Sequence, residues 1–538
     1  MRFKKTTSLV ALAASALLLT ACGSGPAPAG ESGSVAGSSA NVYLYQKPVS
    51  FNPLKGAQGA EQLTMSLMYD NLVTTGPDYE IIPRLAETWE VSDDAKTYTF
   101  HLAEGLTWSD GEPFTAEDVV FSYTLYADPT VGSAWRKSLQ DVVGYDELDA
   151  GSADTLAGVV ATDEHTVTIT LSRPNAGFLS LIGYGSVFYV LPQHVLGDQD
   201  RAGLLENEFF SKPTVGMGPY VLDEFNVDEN VVLSANEHFR TEVGIDTLYL
   251  KMLTTDVATA QLATGEIDLV QVSPLDLDAV EGLPGVTMES APSPGFIRAA
   301  LNFSKPEFQD KRVRQAMLHA IDRKGMIEGI LGGHGSVLNS SIMTEWALPD
   351  DLNEYEYDPE RAKSLLKESG VDLSREVKLS WVTGQRDRDQ MVTVIIENLQ
   401  AVGINAVANP VDAGALTASY EDKSYDLALF GGGVYTPDQA SSSPMLACDQ
   451  HFPAGSNTAM FCNEELDDAF AAGAATAIPA ERTAAYQEAA RLENEWVPYL
   501  WITAADTLWA SSERLQGFAP HGDFTNGFWN AAEWSIAE

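Results

Sequence analysis

The 538-residue chain has few basic residues and little cysteine, and both shortages limit what it can do. It contains 32 Lys and Arg against 76 Asp and Glu, giving a formal net charge of −44 at pH 7. A surface this acidic repels nucleic acid and anionic lipid headgroups, so we expect neither as a partner. Only three cysteines occur, and no two of the eight histidines lie four residues apart. We therefore predict no bound metal and no cofactor.

Sequence motifs of the common catalytic sites are also missing. The chain has no H-E-x-x-H, no G-x-x-x-x-G-K-[ST] and no G-x-S-x-G, which excludes the usual zinc peptidase, P-loop and nucleophile-elbow patterns. We accordingly assign no catalytic residue and expect no enzyme. A catalytic triad built from distant residues would escape such a search, so a secreted, lipid-anchored hydrolase remains the alternative.

The N-terminal hydrophobic run is too short to span a bilayer. Residues 9–19 are apolar for about eleven residues and follow Arg2, Lys4 and Lys5, which is typical of a secretory signal. The small residues before Cys22 resemble the bacterial lipobox, whose cysteine is acylated and becomes the mature N-terminus. We predict residues 1–21 as a lipoprotein signal peptide, Cys22 as the lipidation site and residues 22–40 as a flexible spacer. The alternative is an ordinary signal peptide in which this thiol is incidental.

The consequence would be an extracytoplasmic protein attached to the cell membrane by lipid alone. Removal of residues 1–21 takes away three positive charges and no negative ones, leaving −47. In such an oxidising location, the two remaining cysteines, Cys448 and Cys462, most simply form a disulfide. A metal site is the rival interpretation, and His451 alone does not supply the further ligands that it needs.

Alternating and helical patterns predict mixed α/β structure. Trp89 and Val91 alternate with polar neighbours, and Tyr98, Phe100 and Leu102 do so again after a polar turn, which indicates a hairpin. Residues 115–118 then form a capping-box-like start for a helix. Farther along, a strand near 377–381, a helix over 388–401 and a strand at 404–407 predict a right-handed βαβ unit.

Several ordered sequence blocks resemble one protein family. Residues 85–94 (LAETWEVSDD), 98–102 (YTFHL) and 108–119 (WSDGEPFTAEDV) are similar to the signature of family 5 extracellular solute-binding proteins. That family includes the oligopeptide-, dipeptide- and nickel-binding components of ABC importers. Further matching blocks are VGMGPY (215–220), GEID (265–268), DKRVRQA (310–316), AIDR (320–323) and YDPERA (357–362). The resemblance spans about residues 42–538.

The resemblance implies a two-lobed, periplasmic-binding-protein-like α/β fold with three subdomains and a hinge. On this basis domain I is discontinuous and comprises residues 41–78, 208–292 and 500–538. An inserted subdomain covers 79–207, and domain II, the second lobe, covers 293–499. The two crossings near 292 and 500 would act as hinges.

Ligands of open α/β sheets bind at loops beyond the carboxyl ends of strands. That rule selects two loops, 382–387 and 431–438, and the resemblance places the second of them in the cleft. It also implies that an aspartate which pairs with a peptide's α-amino group is replaced here by Tyr435. Asp438 could substitute for it only if the loop is differently shaped. Our candidate ligand-binding residues are Gln58, Met217, Trp346, Gln385, Arg386, Gly432, Gly433, Tyr435 and Asp438.

The function implied is capture of a small solute and its delivery to an ABC permease and its ATPase subunits. We expect a peptide first, with oligosaccharides and metal chelates as alternatives, and we expect a monomer. A ligand-sensing receptor subunit would use the same fold.

Overall fold

The computed structural model describes residues 37–56, 59–185, 187–433 and 438–537. The predicted signal peptide, the lipidation site Cys22, most of the spacer, Gln58 and Tyr435 lie outside the described residues. The first strand includes residues 39 and 40, which were assigned to the spacer, and Ala40 is fully buried. Regular structure therefore begins at Ser39, two residues before the predicted start of domain I at residue 41.

The strands follow one another in this order: β1 (Ser39–Leu44), β2 (Val73–Thr75), β3 (Ile81–Pro83), β4 (Ala86–Val91), β5 (Thr97–Leu102), β6 (Val159–Asp163), β7 (Thr166–Thr170), β8 (Tyr220–Asn226), β9 (Asn230–Ala235), β10 (Thr247–Met252), β11 (Leu269–Val272), β12 (Val286–Pro292), β13 (Gly295–Leu301), β14 (Gly335–Val337), β15 (Val377–Val382), β16 (Ala406–Val411), β17 (Leu427–Gly433), β18 (Tyr499–Ser512), β19 (Leu515–Gln516) and β20 (Ser535–Ile536).

The α-helices are α1 (Gly59–Met68), α2 (Ala116–Ala127), α3 (Tyr145–Asp149), α4 (Phe178–Ile182), α5 (Gln193–Leu196), α6 (Thr255–Thr264), α7 (Lys311–Ala320), α8 (Arg323–Ile330), α9 (Pro359–Ser369), α10 (Arg386–Ala401), α11 (Ala413–Glu421), α12 (Glu464–Ala474) and α13 (Pro479–Trp496). Within the described ranges, none of them combines the length and the apolar character needed to cross a membrane.

One sheet runs through both lobes. Its strand order is β16-β15-β17-β13-β18-β11-β1-β10-β9-β8, with β12 and β14 also paired to β18. The first part of β18 pairs with β13 and β14, and its last part pairs with β11 and β12. The change falls between Ala505, opposite Gly335, and Asp506, opposite Pro292. We call β1 with β8–β12 the first lobe and β13–β17 the second lobe. The fold is the expected two-lobed α/β architecture.

The hairpin β4–β5 and the strands β6 and β7 form a separate antiparallel sheet, the insert sheet, in the order β4-β5-β7-β6. The predicted subdomain bounds remain a prediction. Helix α2 packs on the insert sheet and begins with the predicted capping box, in which the Asp118 carboxylate accepts the N–H of Thr115 at 3.0 Å. The local pattern around residues 86–127 thus predicted this part of the structure correctly.

The second lobe has the predicted βαβ unit. Strands β15 and β16 are parallel and are joined by α10, and β15 is also parallel to β17. Alternate residues of β13 enter different cores: Ile297 and Ala299 pack on one face of the sheet, and Phe296 and Ala300 on the other. Helices pack on both faces of these strands.

Candidate ligand-binding site

A cavity of about 1520 Å³ lies between the lobes. One wall is the turn at residues 77–81 between β2 and β3, whose flanking residues Val73 and Ile81 belong to the core of the first lobe. The floor includes the crossing segment 292–294, and the other wall is formed mainly by residues 336–354 of the second lobe. This volume exceeds the 300–1,000 Å³ typical of small-molecule pockets. The space therefore suits a ligand larger than a single amino acid.

A buried arginine holds the second-lobe wall in place. Arg323, at the start of α8, donates to the backbone carbonyls of Leu338 (2.5 Å), Glu354 (2.6 Å) and Tyr355 (3.0 Å). Its burial lowers the pKa of the guanidinium to about 10, so the group stays charged at neutral pH. Because one side chain satisfies carbonyls at both ends of the wall, the segment between them is fixed as a unit.

Helix α13 supports the same wall from behind. Glu493, fully buried, accepts the backbone N–H and the hydroxyl of Ser341, both at 2.8 Å. The neighbouring Asn494 donates to the carbonyls of Asn339 (3.1 Å) and Asn353 (3.0 Å). Burial raises the pKa of Glu493 to about 7, although the bonds from Ser341 favour the ionised form. A titrating carboxylate thus lies directly behind a residue that lines the cavity.

An ion pair and two aromatic rings form one corner of the site. The carboxylate of Asp438 pairs with Arg482, receives a 3.5 Å contact from the Tyr486 hydroxyl and caps the following turn by accepting the N–H of Ala440 at 2.9 Å. The guanidinium of Arg482 also lies 5.4 Å from the ring centroid of Trp346. Asp438 is buried and its charge is balanced, so it is not a free partner for a ligand ammonium group.

Hydrogen bonds also connect the two sides of the cleft. The N–H of Ala176, beside the insert sheet, donates to the carbonyl of Ala474 at 2.8 Å, and the N–H of Ala477 donates to the carbonyl of Asp93 at 3.2 Å. Arg386 donates to both carboxylate oxygens of Asp276 at 2.8 and 2.6 Å. The structure therefore has the second lobe in direct contact with both the first lobe and the region of the insert sheet.

Comparison with known sequences identifies the chain. The profile described as "Bacterial extracellular solute-binding proteins, family 5 Middle" matches residues 80–453, which is more than half of the sequence. The chain belongs to this family.

Relatives and solved structures agree with membership of family 5. An ABC transporter peptide-binding protein of Brucella melitensis is 29% identical over 508 residues, covering 91% of each chain. The dipeptide-binding protein of Escherichia coli K12 is 28% identical over 503 residues, covering 89% of this chain and 91% of that protein. The crystal structure of the ABC transporter substrate-binding protein CtaP from Listeria monocytogenes has a TM-score of 0.81 at 26% identity, covering 93% of this chain and 100% of that one.

Two of the predicted ligand-binding residues lie at the cavity between the lobes. Trp346 and Asp438 line the cavity, and their contact with a ligand remains a prediction. Met217 does not line it, since its side chain is buried in the first-lobe core. The reason is local: a Cβ at the preceding Gly216 would lie 2.0 Å from the carbonyl oxygen of Met68, so this segment is pressed onto α1.

Four of the predicted loop residues do not line the cavity. Gln385 and Arg386 lie at the start of α10 outside the cavity lining, and Arg386 pairs with Asp276 of the first lobe. Gly432 and Gly433 are likewise absent from the described lining, because they continue β17 opposite Phe296 and Gly295. The glycines therefore extend the strand, and the predicted loop 431–438 begins later than expected.

The β2–β3 turn was missed. Asp78, Tyr79 and Glu80 line the cavity from the first-lobe side, whereas the strand-end rule selected loops of the second lobe only. A Gly-Pro-Asp sequence at residues 76–78 marks a turn, but nothing local places that turn opposite the other lobe. Glu345, Asp350 and Arg482 also line the cavity without having been predicted.

The cysteine prediction is confirmed. Cys448 and Cys462 are joined by a disulfide, with their Cα atoms 4.5 Å apart. His451 instead donates its Nε2–H to the carbonyl of Phe461 at 2.9 Å. In the part of the chain that the structure describes, no group of three or more His, Cys, Asp or Glu side chains is arranged to hold a metal ion.

Proposed function

We propose that this family 5 protein is the substrate-binding component of an ABC importer and that it captures peptides between its two lobes. The observation that carries the proposal is the cavity of about 1520 Å³, with walls from both lobes, in a chain of this family. The peptide assignment is supported by relatives named as peptide- and dipeptide-binding proteins, each aligned over about nine-tenths of both chains.

In this mechanism the protein binds the peptide and releases it without changing it covalently. A ligand that touches both walls makes its full set of contacts only when the lobes are together, so it shifts the equilibrium toward the closed form. The contacts at Ala176–Ala474 and Arg386–Asp276 would then form with closure. The closed form would dock on a permease, and a separate ATPase subunit would supply the energy.

The remaining details of the proposal concern location and motion. The mature protein would begin at a lipidated Cys22, act outside the cytoplasmic membrane and function as a monomer. The predicted inserted subdomain, residues 79–207, would accompany domain I. The two hinges between the lobes would lie at the chain crossings. One crossing is the segment between β12 and β13, and the other is the step from Ala505 to Asp506 in β18.

Thermal stabilisation by peptides, with mass spectrometry of the peptide afterwards, tests this function. A mixture of synthetic peptides of two to ten residues should raise the melting temperature of the mature chain, because binding to the folded state alone stabilises it. The recovered peptides should be intact. Steady hydrolysis would support the alternative of a secreted hydrolase, and absence of any stabilisation would refute peptide capture.

A matched pair of variants localises the binding. Trp346→Ala removes a 42% exposed aromatic from the cavity wall and should weaken peptide affinity at least tenfold, since aromatic anchors dominate such contacts. Tyr357→Ala removes a similarly exposed aromatic, 46%, that does not line the cavity, and should leave affinity unchanged. Equal affinities for the two variants would show that the ligand binds elsewhere.

A further inference from the structure

The described lining of the cavity is strongly biased toward negative charge. Six carboxylates line it against one basic side chain, Arg482, whereas the whole chain has 76 acidic and 32 basic residues. The acidic lining residues are Asp78, Glu80, Glu345, Asp350, Glu354 and Asp438. The bias in the cleft therefore exceeds the general acidity of the chain.

The single basic side chain of the lining does not neutralise the others. Arg482 is paired with Asp438, and this pair is mostly buried. Among the described residues, the other five carboxylates make no ion pair, and all five residues are exposed. Glu80 accepts the backbone N–H of Asp78 at 3.1 Å. Five carboxylates without an ion-pair partner in the described residues thus remain in the cleft.

These charges are divided between the two walls. Asp78 and Glu80 are on the β2–β3 turn of the first-lobe side, and Glu345, Asp350 and Glu354 are on the second-lobe wall. Closure brings like charges toward each other around a confined space, where low-dielectric walls strengthen the field. A cation held between the walls would convert this repulsion into attraction and so favour the closed form.

The form of the cation follows from the rest of the lining. No group of three or more metal-ligating side chains occurs in the described ranges, so the carboxylates are not gathered around one ion. Tyr79 and Trp346, one on each side, are aromatic residues of the lining, and aromatic rings attract ammonium and guanidinium groups. The ring of Trp346 already lies 5.4 Å from the guanidinium of Arg482. We infer that the cleft selects peptides with a net positive charge, rich in Lys or Arg; this inference rests on the proposed function.

A peptide library tests the preference directly. The mature chain is incubated at low salt with an equimolar mixture of synthetic pentapeptides in which Lys, Gln and Glu occupy the same positions, and the bound fraction is identified by mass spectrometry. We expect Lys-containing peptides to be enriched at least tenfold over their Gln counterparts, and Glu-containing peptides to be depleted. The enrichment should shrink in high salt, which screens exposed charges.

Two variants and a control assign the preference to the cleft. The double variant Asp78→Asn with Glu80→Gln neutralises one wall, and Glu345→Gln with Asp350→Asn neutralises the other. Each should reduce the enrichment of Lys peptides over Gln peptides at least threefold. The control, Asp146→Asn with Glu147→Gln, makes the same change of charge at exposed residues that do not line the cavity and should leave the enrichment unchanged.

The possible failures are distinguishable. Equal capture of Lys and Gln peptides, or a preference for Glu peptides, would overturn the charge selection and leave peptide capture standing. An enrichment that survives neutralisation of both walls would also overturn it. Capture of no peptide of any charge would overturn the proposed function itself. Unchanged melting temperatures of the variants, measured without peptide, would show that any loss is not due to misfolding.

Discussion

Replacement of Glu493 by Gln should change how the stability of the protein depends on pH. The Glu493 side chain is fully buried behind the cavity wall, and burial raises its pKa from 4.5 to about 7. In the unfolded chain the group has an ordinary pKa. Between these two values the folded state therefore holds a proton that the unfolded state has lost. The free energy of unfolding must fall as pH rises through this window.

The size of the effect follows from the pKa difference. Each unit corresponds to 1.36 kcal/mol, so a rise from 4.5 to about 7 removes about 3 kcal/mol of stability by pH 8 compared with pH 4. Glu493→Gln keeps an oxygen that accepts the N–H of Ser341, and its amide can donate to the Ser341 hydroxyl. The free energy of unfolding of the variant, relative to that of the wild type, should thus rise by about 3 kcal/mol from pH 4 to pH 8.

Urea unfolding followed by tryptophan fluorescence at several pH values measures this difference. Glu488→Gln is the control, because Glu488 lies on the same helix with 58% of its side chain exposed. It should show almost no pH-dependent difference from the wild type. If the gap between Glu493→Gln and the wild type were the same at pH 4 and pH 8, the carboxylate would not be titrating in this window, and the reasoning would be wrong.

Three further predictions concern contacts around the cleft. Arg386→Gln removes the exposed ion pair with Asp276, and exposed pairs of this kind are weak. Affinity for peptides should therefore fall only up to about fivefold, and small-angle scattering should show a larger radius of gyration. Unchanged scattering would contradict a role in closure. Reduction of the Cys448–Cys462 disulfide should lower the free energy of unfolding by about 3 kcal/mol on the chain-entropy model. The melting temperature should fall, and a variant with both cysteines replaced by Ser should show the same fall without reductant. Equal melting temperatures of the oxidised and reduced protein would refute this stabilisation. Arg323→Gln leaves the carbonyls of the second-lobe wall without their charged donor and should lower the free energy of unfolding by about 3 kcal/mol. Urea unfolding measures this loss. A loss below about 1 kcal/mol would show that the wall does not depend on Arg323.

Local structure could be predicted because its causes lie within a few residues. The alternation around Trp89 and Phe100 required no distant partner to indicate a hairpin, and the Thr115–Asp118 capping box is closed within one turn. The same holds for the βαβ unit of β15, α10 and β16. The blocks that resemble family 5 then predicted the two-lobed arrangement correctly.

The site was predicted less well because its causes are distant in sequence. Arg386 was a candidate ligand-binding residue, but its partner Asp276 lies 110 residues away and on the other lobe. Gly432 and Gly433 have the composition of a turn, yet pairing with β13 keeps them extended. Similarly, the position of the β2–β3 turn opposite the second lobe depends on packing against the first-lobe core, which no local pattern reports.

Strand β18 belongs to both lobes, and this has a consequence for how the molecule opens. Two bodies joined by loops could swing freely, but here the lobes share one backbone that is hydrogen-bonded at both ends. Opening must therefore flex a sheet. We expect the bending to occur mainly beside Pro292 and Pro294. Because proline has no N–H to donate, the sheet has fewer backbone hydrogen bonds at this point. We expect the paired segments on either side of this point to resist bending and so to limit how far the lobes separate.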